Sequence, residues 1–202
     1  MSNKILHVDA SARVNGSLSR EITRYLVESI NDKQGAVSIY RDLANSELPL
    51  LTESHIGAYF TPKDQRDKAQ QDLLVTSDEL IQELKSVKTL VIGAPIYNFS
   101  VPAALKAWID LVCRVGETFV YSDHGPKGLL DIDRAYIVVT SGGTQIGSDI
   151  DFNSRYLEQV CRFIGVQETY VIDASGSKRE PDAILEAAKQ QITYLISTAT
   201  AA

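Results

Sequence analysis

The sequence predicts an α/β fold: a doubly wound, five-stranded parallel sheet with helices on both faces, formed by a single domain over residues 1–202. Three observations predict it. Short apolar, β-rich runs alternate with helical patterns five times, with no internal repeat and no evident linker. Alternation of this kind belongs to parallel sheets, whose crossover helices cover both faces. The segment "TLVIGAPIYNF" (89–99) opens on a continuous apolar run, as a central strand covered on both sides requires. A chain of 202 residues with 44% hydrophobic content suits one large core and only awkwardly two small ones.

Ile5, Leu6 and Val8 make the first strand, and Ile22, Tyr25, Leu26 and Ile30 recur as one face of the first helix, which Gly35 closes. "AVSIYRDL" (36–43) alternates as a second strand. The polar stretch from Asn45 to Gln71, with Pro49, Gly57 and Pro62, is too long for an ordinary connection and reads as a functional insertion or an interaction surface. Leu80, Ile81, Leu84 and Val87 lead a helix into the third strand. Pro102 falls in the first turn of the next helix, where its missing N–H does no harm. That helix carries Leu105, Trp108, Ile109 and Val112. "RAYIVVTSGG" (134–143) is a fourth strand ending in glycines. Tyr156, Val160, Phe163 and Ile164 form a helix stopped by Gly165. "ETYVIDA" (168–174) is a fifth strand, and Pro181, Ile184, Ala188, Ile192 and Leu195 complete a last helix.

The net charge of -6 argues against a nucleic-acid partner, since neutralising a phosphate backbone needs clustered Lys and Arg. No apolar run approaches the ~20 residues that span a bilayer, and no basic segment with an apolar core begins the chain, so a cytoplasmic protein without a membrane partner is expected. Cys113 and Cys161 are too few and too far apart for a disulfide framework or a metal site, and read as small thiols inside apolar helical patterns. His7, His55 and His124 have no metal spacing, and no metal is expected.

In a parallel sheet, ligands gather beyond the carboxyl ends of the strands, where strand order reverses. Three segments fall there. "ASARVNGSLSR" (10–20) puts Ser11, Ser17 and Ser19 around a strand-to-helix turn. Those hydroxyls either cap the helix or, with its N-terminal N–H groups, hold an anion such as phosphate. Neither GxxxxGK[ST] nor GxGxxG is present, which disfavours a P-loop hydrolase and a dinucleotide site. "APIYNFSVPAALKAWID" (94–110) offers Tyr97 and Phe99 to a flat apolar ring and Asn98 to its polar edge, or else ordinary core and turn residues. "TSGGTQIG" (140–147) lets backbone approach a ligand closely, or is a flexible loop.

These residues resemble the FMN-dependent NADH-azoreductases, also described as FMN-dependent NADH:quinone oxidoreductases. The resemblance runs from "KILHVDAS" through "GSLS", "RDL", "LPLL", "SDELIQELK", "APIYNFSVPAALKAWIDLV", "GPKGLL" and "VVTSGG" to "RFIG". It implies a flavodoxin-like fold with strand order 2-1-3-4-5, one non-covalently bound FMN per subunit, NADH as donor, and a homodimer with the flavin near the interface. Ser11, Ser17, Leu18 and Ser19 match the segments that hold the FMN phosphate. Pro95, Ile96, Tyr97, Asn98 and Phe99 match the segment against the flavin ring. Ser141, Gly142, Gly143 and Thr144 match the family's S-x-G-G loop, although here the glycines come one residue early and no Arg separates them from Ser141.

The chemistry implied is ping-pong: NADH gives a hydride to flavin N5 and leaves, and a quinone or azo compound is then reduced by two electrons in its place. Backbone N–H groups of 97–99 or 142–144 would face the negative edge of reduced flavin. Tyr121, in the loop "ETFVYSDHG", is a candidate substrate contact, with Phe119 and Phe163 lining the same pocket or serving as core. The rival reading is a flavodoxin-like FMN-binding electron carrier, which would need an exposed flavin edge and a docking surface.

Overall fold

A computed structural model describes residues 4–176 and 180–199. Seven strands and six α-helices follow in the order β1 (Lys4–Asp9), α1 (Leu18–Gln34), β2 (Val37–Asp42), α2 (Glu53–Phe60), α3 (Lys68–Lys85), β3 (Thr89–Pro95), α4 (Ala103–Val112), β4 (Phe119–Ser122), β5 (Gly125–Gly128), β6 (Ile132–Ser141), α5 (Ser154–Ile164), β7 (Val166–Ser175) and α6 (Pro181–Ala199). Five of the strands form one parallel sheet in the order β2-β1-β3-β6-β7. With the β4–β5 hairpin set aside, this is the 2-1-3-4-5 order expected.

The two-residue period of the central strands sorts their side chains into two cores. Leu6 and Val8 of β1, Leu90, Ile92 and Ala94 of β3, and Ala135, Ile137 and Val139 of β6 face one side, packed with Leu84, Trp108, Leu111 and Leu157 from α3, α4 and α5. Ile5, Val91, Tyr136 and Val138 face the other, beneath Ile22, Leu26 and Ile30 of α1 and Ala188 and Ile192 of α6. Trp108 is 1% exposed, so truncating it to Ala would cost about 3–5 kcal/mol. Among the described residues no helix is long and apolar enough to cross a membrane.

Several expectations are corrected or filled in. The 45–71 stretch, expected as a functional insertion or an interaction surface, carries secondary structure. It holds α2, a 3-10 turn at Lys63–Gln65 and the start of α3. The first of these is short, contains Gly57, and is capped by a pairing of Thr52 with His55 Nδ1 at 2.8 Å, where Glu or Gln usually stands. Helix α3 begins a dozen residues before its apolar stripe, at an Asp67 cap that accepts from the Gln70 N–H at 2.8 Å. Pro102 is the N-cap of α4 rather than a residue of its first turn, and Cys113 is that helix's C-cap. Finally, the segment expected as a loop around Tyr121 is the antiparallel hairpin β4–β5. Its back lies hard against the end of α5: a Cβ at Gly128 would come within 2.2 Å of the Gly165 nitrogen. Cys161 lies in α5, and burial pushes both thiols up to about 12.

Candidate functional site

Strands β1, β3 and β6 are neighbours, and their carboxyl ends lie side by side: Asp9 pairs with Gly93, and Pro95 with Thr140. The segments leaving them enclose a cavity of about 540 Å³. Ser11, Ser17, Leu18 and Ser19 line it from the first turn, Pro95, Ile96 and Tyr97 from the second, and Ser141 and Gly142 from the third. Nine of the thirteen residues proposed to hold a cofactor therefore share one cavity.

The first turn shows what its hydroxyls bond. Ser17 is the N-cap of α1, yet its hydroxyl makes no capping bond to the helix. It donates instead to Ser11 Oγ at 2.9 Å and lies 3.2 Å from Ser19 Oγ. All three serines are buried. The first helical bond runs from the Glu21 N–H to the Ser17 carbonyl, so the N–H groups ahead of it are left for another acceptor. Three converging hydroxyls and unpaired N–H groups at a helix N-terminus are the kind of donors an anion needs.

The second turn is tight. Tyr97 and Ser100 exchange both backbone hydrogen bonds, at 3.0 and 3.2 Å, around Asn98 (φ 50°) and Phe99 (φ 73°). Asn tolerates this left-handed conformation, whereas Phe is strained in it by about 1–2 kcal/mol. Strain of this kind concentrates at functional sites. The Tyr97 hydroxyl crosses to the first turn, accepting from the Ala12 N–H at 3.2 Å and lying 3.4 Å from Ser11 Oγ. Asn98 and Phe99 are exposed and do not line the cavity.

The third turn is folded back on itself. Ser141 Oγ accepts the N–H groups of Gly143 at 3.2 Å and Thr144 at 2.7 Å. Farther along, buried Asp151 accepts from the N–H groups of Gly147, Asn153 and Ser154 at 2.8–3.0 Å, and from the Ser154 hydroxyl. Burial opposes ionisation of that carboxyl, but these bonds hold it below the usual carboxylate range. Gly143 and Thr144 do not line the cavity.

Phe119, Tyr121 and Phe163 form a cluster of their own, with ring centroids 4.2 Å apart for Phe119–Phe163 and 5.4 Å for Phe119–Tyr121. None of the three lines the cavity; Phe119 is buried, while Tyr121 is 71% exposed. Sequence reasoning missed Arg13, Gly16, Thr140 and Pro181, which do line it. The first three sit inside segments already singled out. Pro181 had a topological signal, since α6 also starts at the carboxyl end of the sheet.

Comparisons with known proteins agree with this fold. A family model described as flavodoxin-like fold matches residues 3–195. The FMN-dependent NADH:quinone oxidoreductase 1 of Jannaschia sp. (strain CCS1) is 49% identical over 191 residues, which cover 95% of this chain and 97% of that one. The protein of the same name from Hahella chejuensis (strain KCTC 2396) is 45% identical, covering 98% and 97%. The chain belongs to the FMN-dependent NADH:quinone oxidoreductase family. Its fold also superposes on a solved FMN-dependent NADH-azoreductase from Bacillus anthracis str. Ames Ancestor, in complex with FMN. That match has TM-score 0.85 and 24% identity, over 97% of this chain and 98% of that one. The cavity between the three turns is the candidate active site.

Proposed function

We propose that this oxidoreductase binds FMN with its phosphate in the first turn and uses NADH to reduce quinones and aromatic azo compounds. The observation that carries the reading is the buried Ser11–Ser17–Ser19 cluster, whose hydroxyls bond one another at the N-terminus of α1 instead of capping it. These donors fit a phosphate, and a cavity of about 540 Å³ suits a mononucleotide. Two-electron redox chemistry at N5, in ping-pong half-reactions with NADH and then the acceptor, is what FMN supplies when bound.

The chain's own tasks are to bind, orient and stabilise charge. Ser19 and the first N–H groups of α1 donate to the phosphate, joined by Ser17 once its hydroxyl turns from Ser11 Oγ, and Ile96 and Tyr97 lie against the ring. Of the backbone N–H groups considered for the ring's negative edge, that of Tyr97 is spent on the Ser100 carbonyl, and those of Gly143 and Thr144 on Ser141. Among the described residues no hydrogen bond engages the N–H groups of Asn98, Phe99 or Gly142, and of these three Gly142 lines the cavity, which leaves its N–H for that role. The reading includes a cytoplasmic homodimer: exposed Phe99 and Phe152, neighbours through the Phe152 N–H bonded to the Phe99 carbonyl at 3.1 Å, offer a second copy an apolar surface, and Tyr121 would meet substrate in that setting.

The test is a steady-state assay with FMN-loaded protein, varying NADH, NADPH, a simple quinone and an azo dye. NADH oxidation that requires FMN, with parallel double-reciprocal lines, is expected. No oxidation by a protein that does bind FMN would favour the one-electron carrier, and a protein that ignores FMN would sink both readings.

A further inference from the structure

We propose that Arg20 is a positioning residue for the anion-binding end of the site, turning the carbonyls of the first turn away so that its donors converge on the phosphate. The inference rests on the FMN reading above. Arg20 is 6% exposed and does not line the cavity, yet its guanidinium holds the turn at two points. Nε donates to the Arg13 carbonyl and Nη2 to the Ser11 carbonyl, each at 2.8 Å. With those carbonyls taken, the intervening N–H groups point to the cavity side: Ala12 donates to the Tyr97 hydroxyl and Arg13 to Ser11 Oγ, both at 3.2 Å.

The brace is itself anchored across the sheet. Nη2 and Nη1 fork onto Asp42 at 2.6 and 3.0 Å, and Nη1 also donates to the Tyr40 hydroxyl at 2.8 Å. Asp42 accepts the Ala44 N–H and the Asn45 amide. The Tyr40 hydroxyl donates to Asp9 Oδ2 at 3.1 Å, and Thr23 donates to Asp9 Oδ1 at 2.9 Å. On the next strand a Cβ at Gly93 would stand 2.6 Å from Asp9 Oδ1, so only glycine leaves room for this carboxylate. His7 Nε2 lies 3.4 Å from its other oxygen. The planar guanidinium makes five bonds at once, to two carbonyls, both carboxylate oxygens and a hydroxyl, whereas an ammonium has three donors.

The test compares FMN with riboflavin, which lacks the phosphate, by titrating both into full-length apoprotein. Wild type should prefer FMN strongly; equal affinities would remove the phosphate from the first turn and overturn the FMN reading together with this one. Arg20→Lys keeps the charge and loses the fork. It should weaken FMN about tenfold, the worth of one charge-assisted hydrogen bond, and leave riboflavin within about twofold. Asp42→Asn, which releases the fork without removing it, should show the same selective loss at smaller size and provides the test if the lysine variant does not fold. Unchanged FMN binding in a folded variant that retains the native melting profile would overturn the proposal. So would equal losses for both flavins, the mark of a merely structural arginine.

Discussion

The turns that leave β1 and β6 border the same cavity, and each is braced by a buried charge, but the charges have opposite sign. Arg20 collects carbonyls of the first turn; Asp151 collects N–H groups of the loop beyond Ser141. The consequence for chemistry is direct. A turn whose carbonyls are taken has donors to offer an anion, and a loop whose N–H groups are taken has few. Of the glycine pair in the third segment, Gly142 lines the cavity, while the Gly143 N–H is spent on Ser141 Oγ. In the function proposed, the serine turn is the polar anchor of the site.

The largest effect that could break this contrast belongs to the serines. Replacing Ser17 and Ser19 together with Ala removes two hydroxyl donors and should weaken FMN by about 3 kcal/mol, since hydrogen bonds to charged groups are worth about 1.5–3 kcal/mol each. The apo fold should lose less than about 1 kcal/mol, because Ser17 makes no cap bond to forfeit. Flavin fluorescence titration set beside urea unfolding of the apoprotein measures both. Equal losses would make the turn structural after all.

Asp151→Asn should show the reverse preference. It should destabilise the apo fold by about 2 kcal/mol, through weaker bonds to Gly147, Asn153 and Ser154, and change FMN affinity little. The pH dependence follows from the sign of the shift. Because the folded-state pKa is depressed below the ordinary value, the stabilisation is complete above the unfolded pKa of about 4 and is lost as pH falls through the folded one. Acid unfolding followed by circular dichroism should therefore be less steep in the variant. An unaltered acid limb would show that Asp151 does not brace the loop.

What was legible in the sequence follows the same division. Val8, Ile92 and Val139 announce buried parallel strands because apolar period and position suffice, and the serine turn stands out by composition. The braces do not. Arg20 falls on the sheet-facing side of α1, where counting apolar residues passes over a charge, and its partner Asp42 lies on another strand. Asp151 in "GSDIDF" looks like any loop acid until the start of α5 folds over it. The hairpin hid because Ser122-Asp123-His124-Gly125 lacks a strong turn pair, and "GPKG" reads as a breaker, not as β5. The Asp67–Gln70 box was readable in principle, since an acid followed three residues later by Gln marks a helix start.

Two smaller effects sharpen the picture. Phe99→Gly relieves a left-handed backbone and should stabilise the apoprotein by about 1 kcal/mol, with unfolding midpoints as the readout. If turnover with a quinone falls at the same time, the strain serves the site; if stability does not rise, the turn is not strained. Arg13→Ala should be the mildest. Its side chain is exposed on the rim of the serine turn, so its pull on a phosphate acts through water and is screened by salt. A loss of about 0.5 kcal/mol in FMN affinity at low ionic strength, vanishing near 1 M salt, is the expected signature of such an exposed charge. A larger, salt-insensitive loss would mean that Arg13 closes over the phosphate and excludes water from it, and the anchor would then depend on a cation as well as on the donors that Arg20 holds in place.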